Sequence, residues 1–182
     1  SSTESAAWMA MNTEDPVTWE QDGYDTDFNG GTDAFVAKFS PTGQGLWATY
    51  VGGDQADAGH GIAVDVDGNA IVVGLTNSAG WVTGGFDDIL NEGNIDAYDS
   101  FAAMISPEGD HVWSTYIGGV NRESVSGWGS SPVVYDPAGY AVVVGSTESP
   151  NLSTDGSALE SSTRPGPRPG AFSSSVDVLV LA

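Results

Sequence analysis

The chain has 182 residues, is 40% hydrophobic, and carries 25 acidic against 4 basic residues for a formal net charge of -21. That length holds one domain or a few small repeat units sharing a core, and the apolar fraction excludes wholesale disorder. The charge excludes nucleic acid and anionic membrane surfaces, which require Lys and Arg; the lack of Cys excludes disulfides, thiolate metal sites and a cysteine nucleophile.

Residues 1–32 read as an acidic leader, and DTDFNGGTD, from Asp25 to Asp33, runs from it into the first residue of the next unit. Oxygen ligands at alternate positions followed by Gly match the opening of a calcium loop, so Asp25, Asp27, Asn29 and Asp33 are the candidate metal ligands and Ca2+ the candidate cofactor. The twelfth position of an EF-hand loop would be an acid and is Val36 here, and no flanking helices are expected. The competing reading is an Asx-rich turn that ends one link and starts a strand.

Residues 33–78 form a first repeat unit and 99–149 a second. FSPTGQGLWATYVGG, from Phe39, matches ISPEGDHVWSTYIGG, from Ile105, a shift of 66. IAVDVDGNAIVVGLTNS, from Ile62, matches VVYDPAGYAVVVGSTES, from Val133, a shift of 71, so five extra residues fall within VNRESVSGWGSS. Each unit reads as four strands. A Pro-x-Gly turn follows the first, a Gly/Asp-rich link the second, and a tight hairpin turn joins the last two. Asp65 and Asp136 recur at that hairpin, where bonding to the local backbone accounts for them. Apolar residues at consecutive positions indicate strands covered on both faces. Trp47 and Trp113 are equivalent core positions, and SSTESAAW, ending at Trp8, aligns with GLTNSAGW, ending at Trp81.

Polar links occupy 79–98 and 150–174, the second rich in Pro and Ser. The first holds an acidic cluster, Asp87, Asp88, Glu92, Asp96 and Asp99, that reads as solvated loop. Residues 175–182 open a third, incomplete unit, in which DVLVLA at Asp177 matches DAFVAK at Asp33. Burying Val178, Leu179, Val180 and Leu181 is worth roughly 6–12 kcal/mol, at ~1.5–3 each, so this strand is expected to pair, within a longer chain or with another copy.

The series GGTDAFVAKFSPTG, LWATYVGG and GIAVDVDGNAIVVGLTNS resembles the SBBP-type β-propeller repeats of large exported and surface proteins of bacteria and archaea. The resemblance covers about two and a half units. It implies an all-β fold of β-propeller-like four-stranded blades, incomplete as a closed ring. It also implies an extracellular or cell-surface setting and no inherited catalytic residues.

No G-x-S-x-G elbow, H-E-x-x-H pair or phosphate loop is present, and His60 and His111 lie at non-equivalent places that suit ordinary polar contacts. Acids are abundant, so a glycosidase-type carboxylate pair is left to the three-dimensional spacing. No apolar run reaches the ~20 residues of a membrane span, and no signal peptide is visible, so an exported protein would be a processed form. NLS at Asn151 fits an N-glycan acceptor. The functional expectation is a non-catalytic structural protein that joins other copies of itself by strand complementation into a surface filament. The alternatives are a calcium-assisted carbohydrate-binding adhesin, in which glycans are the partners and an exposed Trp lies beside Asp or Asn, or a fragment of a larger propeller.

Overall fold

A computed structural model describes residues 7–13, 23–90, 98–125, 131–149 and 176–181, with β1 and β11 described by their backbone pairing. The strands are β1 (Ala7–Thr13), β2 (Asp33–Phe39), β3 (Gly45–Val51), β4 (Asp57–Val64), β5 (Ala70–Thr76), β6 (Asp99–Ile105), β7 (His111–Ile117), β8 (Glu123–Ser124), β9 (Val133–Tyr135), β10 (Ala141–Thr147) and β11 (Val176–Leu181). No helix occurs among the described residues, and the fold is all-β, as expected.

Three antiparallel sheets stack face to face: β1-β2-β3, then β4-β5-β6-β7, then β11-β10-β8 with β9 also on β10. They do not close into a ring among the described residues. The complete sheet takes its inner two strands from the first repeat unit and its outer two from the second. A unit is therefore spread over two sheets, and the chain changes sheet after the W-x-T-Y-x-G-G strand, between β3 and β4.

Two apolar seams hold the stack. Between the first and second sheets pack Ala34, Val36, Trp47, Val72, Phe101 and Ile105. Between the second and third pack Ile71, Val73, Ala102, Val125, Val133 and Val143. Successive Val and Ile on β5 thus serve opposite faces, which is why that strand shows no polar alternation. Trp47 Nε1 and Lys38 Nζ both donate to the Pro107 carbonyl, at 3.0 and 2.8 Å, and so tie the first sheet to the β6–β7 turn. That turn closes on Gly109 at φ 97, a left-handed conformation that suits Gly, and a Cβ there would lie 2.9 Å from the Trp47 ring.

The five-residue insertion falls where the repeat alignment expects it. In the second sheet β4 is continuous, with a register shift between Gly59 and Gly61 that leaves His60 out of the ladder. In the third sheet the insertion at the same place splits the inner strand into β8 and β9.

Two equivalences need correction. The stretch expected as leader contains β1, whose Thr13 pairs with Asp33 and Ala7 with Phe39, as Thr76 pairs with Asp99 and Ala70 with Ile105. Trp8 therefore occupies the place of Ile71, not of Trp81. AWMAMNT has Met where β5 has Val and Gly, so the strand does not look like its counterpart. The final strand does pair, with β10 of the same chain, and Asp177 lies opposite Gly145. That is two residues away from the place opposite Thr147 that the Asp33 and Asp99 pattern predicts. A slip of two preserves which side chains share a face, so the apolar pattern does not discriminate between the registers.

Candidate functional site at the first seam

The links dock on the outer strands in a repeated way. Asp25 N donates to Thr49 Oγ1 at 2.9 Å, and Tyr50 N donates to the Asp25 carbonyl at 2.9 Å. Asp87 N donates to Thr115 Oγ1 at 2.9 Å, and Tyr116 N to the Asp87 carbonyl at 3.0 Å. Each Asp then accepts the amide of the residue two further on, Asp27 or Ile89, at 2.9 and 3.0 Å. The preceding glycines make this possible, since a Cβ on Gly23 or Gly85 would fall 1.9 or 2.4 Å from a carbonyl oxygen of the outer strand. Gly23-Tyr24-Asp25 and Gly85-Phe86-Asp87 are thus one element at a shift of 62. The sequence does not single it out, because G-[YF]-D is short and lies among other acids. Asp87 and Asp99 of the second acidic cluster are buried, against the solvated-loop expectation, because Asp87 is this docking residue and Asp99 begins β6. Glu92 and Asp96 lie outside the described residues.

The four predicted metal residues are organised by hydrogen bonds to one another and to backbone. Asp25 Oδ1 accepts from Asp27 N, Asp25 Oδ2 accepts from Asn29 Nδ2 at 3.2 Å, and Asp33 Oδ2 accepts from Asn29 N at 2.8 Å. Asp27 contributes only its backbone amide to these bonds. Burial pushes the Asp25 and Asp33 carboxyls above the ordinary 3.8, against the backbone hydrogen bonds that lower them. Among the described residues no group of three or more His, Cys, Asp or Glu is arranged to hold a metal ion.

A second polar network latches each inner strand. Asp57 Oδ2 accepts Gly53 N at 2.9 Å and the Ser78 hydroxyl at 2.7 Å, while Ser78 Oγ accepts Gln55 N. In the next repeat Glu123 accepts Gly119 N at 3.1 Å and the Thr147 hydroxyl at 2.7 Å, and Ser149 Oγ accepts Asn121 N. The G-x-T-x-S element is the latch that closes on the acid. Burial raises the Asp57 carboxyl, opposed by hydrogen bonds from Thr76, Gly53 and Ser78, and nearby Asp33 raises it further. Asp65 and Asp136 each bind two backbone amides of their own turn, as expected.

On the rim of the first seam lies a cavity of about 390 Å³. Its walls include Tyr24, Asp25 and Asn29 of the docked link, Asp54 after β3, Trp81 after β5, and His111 on β7. Tyr24 N donates to the Gly109 carbonyl at 3.1 Å, and the Tyr24 and His111 rings lie 4.9 Å apart, so the link bridges both sheets. Trp81 is fixed edge-on to Phe101 and Tyr116, at 5.2 and 6.3 Å, and donates Nε1–H to Thr76 Oγ1 at 3.3 Å. His111 shares a hydrogen bond of 3.0 Å with Ser114, and burial holds its imidazole below the ordinary 6.5. Trp81 thus lines the same cavity as Asp25, Asn29 and Asp54, but it is half-buried against the core cluster and is not the exposed Trp expected. Trp19, Trp128 and Asn151 lie outside the described residues, as do the side chains of Val178, Leu179, Val180 and Leu181.

No curated protein matches this chain. Residues 46–80, which span β3, β4 and β5, match the SBBP family, Beta-propeller repeat, so this stretch is a repeat of the family that its motifs resemble.

Proposed function

We propose that this is a non-catalytic extracellular structural protein whose blades join other copies of the chain, by packing of sheet faces and strand addition along β11, into a surface filament. One observation carries the reading. Ile71 and Val73 on β5 are fully buried, covered by the third sheet, whereas their repeat equivalents Val142 and Val144 on β10 are half-buried and 40% exposed. Val134, across from Val142 on β9, continues this face and is 56% exposed. The face that receives a blade within the chain is thus open on the third sheet, and a blade of the same repeat is the shape that fits it. The β-propeller repeat is itself a structural unit, and its match to residues 46–80 supports the non-catalytic reading.

Electron microscopy and sedimentation of the purified chain test this. Concentration-dependent rings or fibres are expected. Val144→Asp and deletion of 178–182 should each reduce them to monomers. The same oligomers in both variants, or a strictly monomeric parent at high concentration, would defeat the proposal.

A further inference from the structure

The cavity at the first seam has a chemistry that the scaffold does not require. Its frame recurs at the second seam: Gly23 and Gly85, Asp25 and Asp87, Thr49 and Thr115 make the same approach. Asp25 and Asn29 recur in sequence as Asp87 and Asn91, but two residues that face the space do not recur. Tyr24 is replaced by Phe86, and Asp54 by Val120. Folding is served by either set, so the hydroxyl and carboxylate at the first seam are additions to a common frame.

We propose that this cavity is a binding site for a neutral saccharide, with Tyr24 and Trp81 as its aromatic walls and Asp25, Asn29 and Asp54 as its hydrogen-bonding groups. Its volume of about 390 Å³ falls within the range of small-molecule sites, roughly 300–1,000 Å³, and accommodates a mono- or disaccharide. Aromatic rings give a sugar's C–H face an apolar surface, and carboxylates accept hydrogen bonds from its hydroxyls. The Asn29 amide both donates and accepts, which suits a ligand that does the same. Among the described residues no Lys or Arg lines the cavity, so an anionic ligand meets carboxylates and no counterion there. Carboxylates beside aromatic rings also attract a cation, so a cationic probe is one arm of the test. Asp25 already accepts Asp27 N and Asn29 Nδ2. Its remaining lone pairs suit hydroxyl donors. The site is also pre-built: the link is fastened to both sheets, and Trp81 is locked by its edge contacts and its bond to Thr76.

The test uses the full chain on an array of immobilised neutral hexose and N-acetylhexosamine oligosaccharides. Choline and sialyllactose serve in solution as the cationic and anionic probes, followed by calorimetry with the best array sugar. Tyr24 is 56% exposed and Asp54 is exposed, so Tyr24→Ala and Asp54→Ala retain the fold, to be checked by circular dichroism. Saturable binding of a neutral sugar that weakens tenfold or more in each variant is the expected result. Phe86→Ala, at the equivalent place on the other seam, should leave it unchanged. No neutral sugar bound, unaltered affinity in both variants, or a preference for choline or sialyllactose would overturn the assignment.

Discussion

Val73 and Val144 are the same residue at the same position of successive repeats, and they differ in what covers them. Val73 is 0% exposed and Val144 is 40% exposed. Val→Ala removes two carbons, worth about 1.6 kcal/mol at ~0.8 each when fully buried. The cavity left in a rigid seam adds to this, giving about 2–3 kcal/mol for Val73→Ala. Val144 has only part of that transfer to lose and leaves no enclosed void, so Val144→Ala should cost less than about 1 kcal/mol. Urea unfolding of both variants in dilute solution, where the chain is monomeric, measures the difference through the midpoints at constant slope. At higher protein concentration, assembly should then be weaker than the parent's in the Val144 variant only. Equal losses in dilute solution would mean that the two faces are equally covered, and the argument for an open face would fail.

Three further outcomes follow from the polar networks. Ser78→Ala strips Asp57 of a hydroxyl donor and Gln55 N of its acceptor at a fully buried position, and should cost about 1–3 kcal/mol by thermal or urea melts; a loss within error would show that water replaces the hydroxyl. Asp25, Asp33 and Asp57 have carboxyls raised above 3.8, so their contribution to stability is full below pH 3.8 and is lost as pH rises through their folded values. His60 and His111 are held below 6.5 and act oppositely, with stability present above pH 6.5 and lost as pH falls through their folded values. Asp57→Asn should therefore flatten the fall in Tm as pH rises from 3.8, and an unchanged profile would refute the assignment of that slope to Asp57. Excess EDTA should leave Tm unmoved, because Asp25 and Asp33 are organised by hydrogen bonds from Asp27 and Asn29; a clear drop would restore a cation to the loop.

Where the repeat is strict, the residues alone specify the structure. The hairpin turns at Asp65 and Asp136 and the insertion that divides β8 from β9 follow from alignment of the two units, since turn chemistry is local and a gap in an alignment has to be a loop. Sheet membership is not local. The strands of one unit are contiguous in sequence, yet β3 and β4 belong to different sheets, because the link after Gly53 carries the chain from an outer edge to the next inner one. Nothing in LWATYVGG states that its successor pairs elsewhere. β1 is hidden by its Met residues, and the register of β11, though not its existence, by a pattern that tolerates a shift of two. At the cavity, Asp25 is legible in sequence as a candidate metal ligand of the DTDFNGGTD stretch but not as the residue that docks the link. Its role depends on Gly23, whose close approach to Ala48 is a three-dimensional fact.

The two seams separate what the repeat must keep from what it is free to vary. A blade needs a glycine where the link crosses the outer strand, an acid to turn the link, a threonine to receive it, and the Thr–Ser latch on the inner strand; all of these occur twice. Latch chemistry even tolerates Asp57 in one copy and Glu123 in the other, since either carboxylate reaches a glycine amide and a hydroxyl. Positions that look into the seam from its rim are under no such demand. There the copies diverge, to Tyr24 and Asp54 at one seam and Phe86 and Val120 at the other. A stacked-blade protein can therefore carry a ligand site at one junction without altering how the blades pack. The open face of β10 belongs to the strict part of the repeat, and the cavity belongs to the variable part. The proposed assembly and the proposed binding thus rest on different residues, so loss of one through Val144 need not disturb the other through Tyr24.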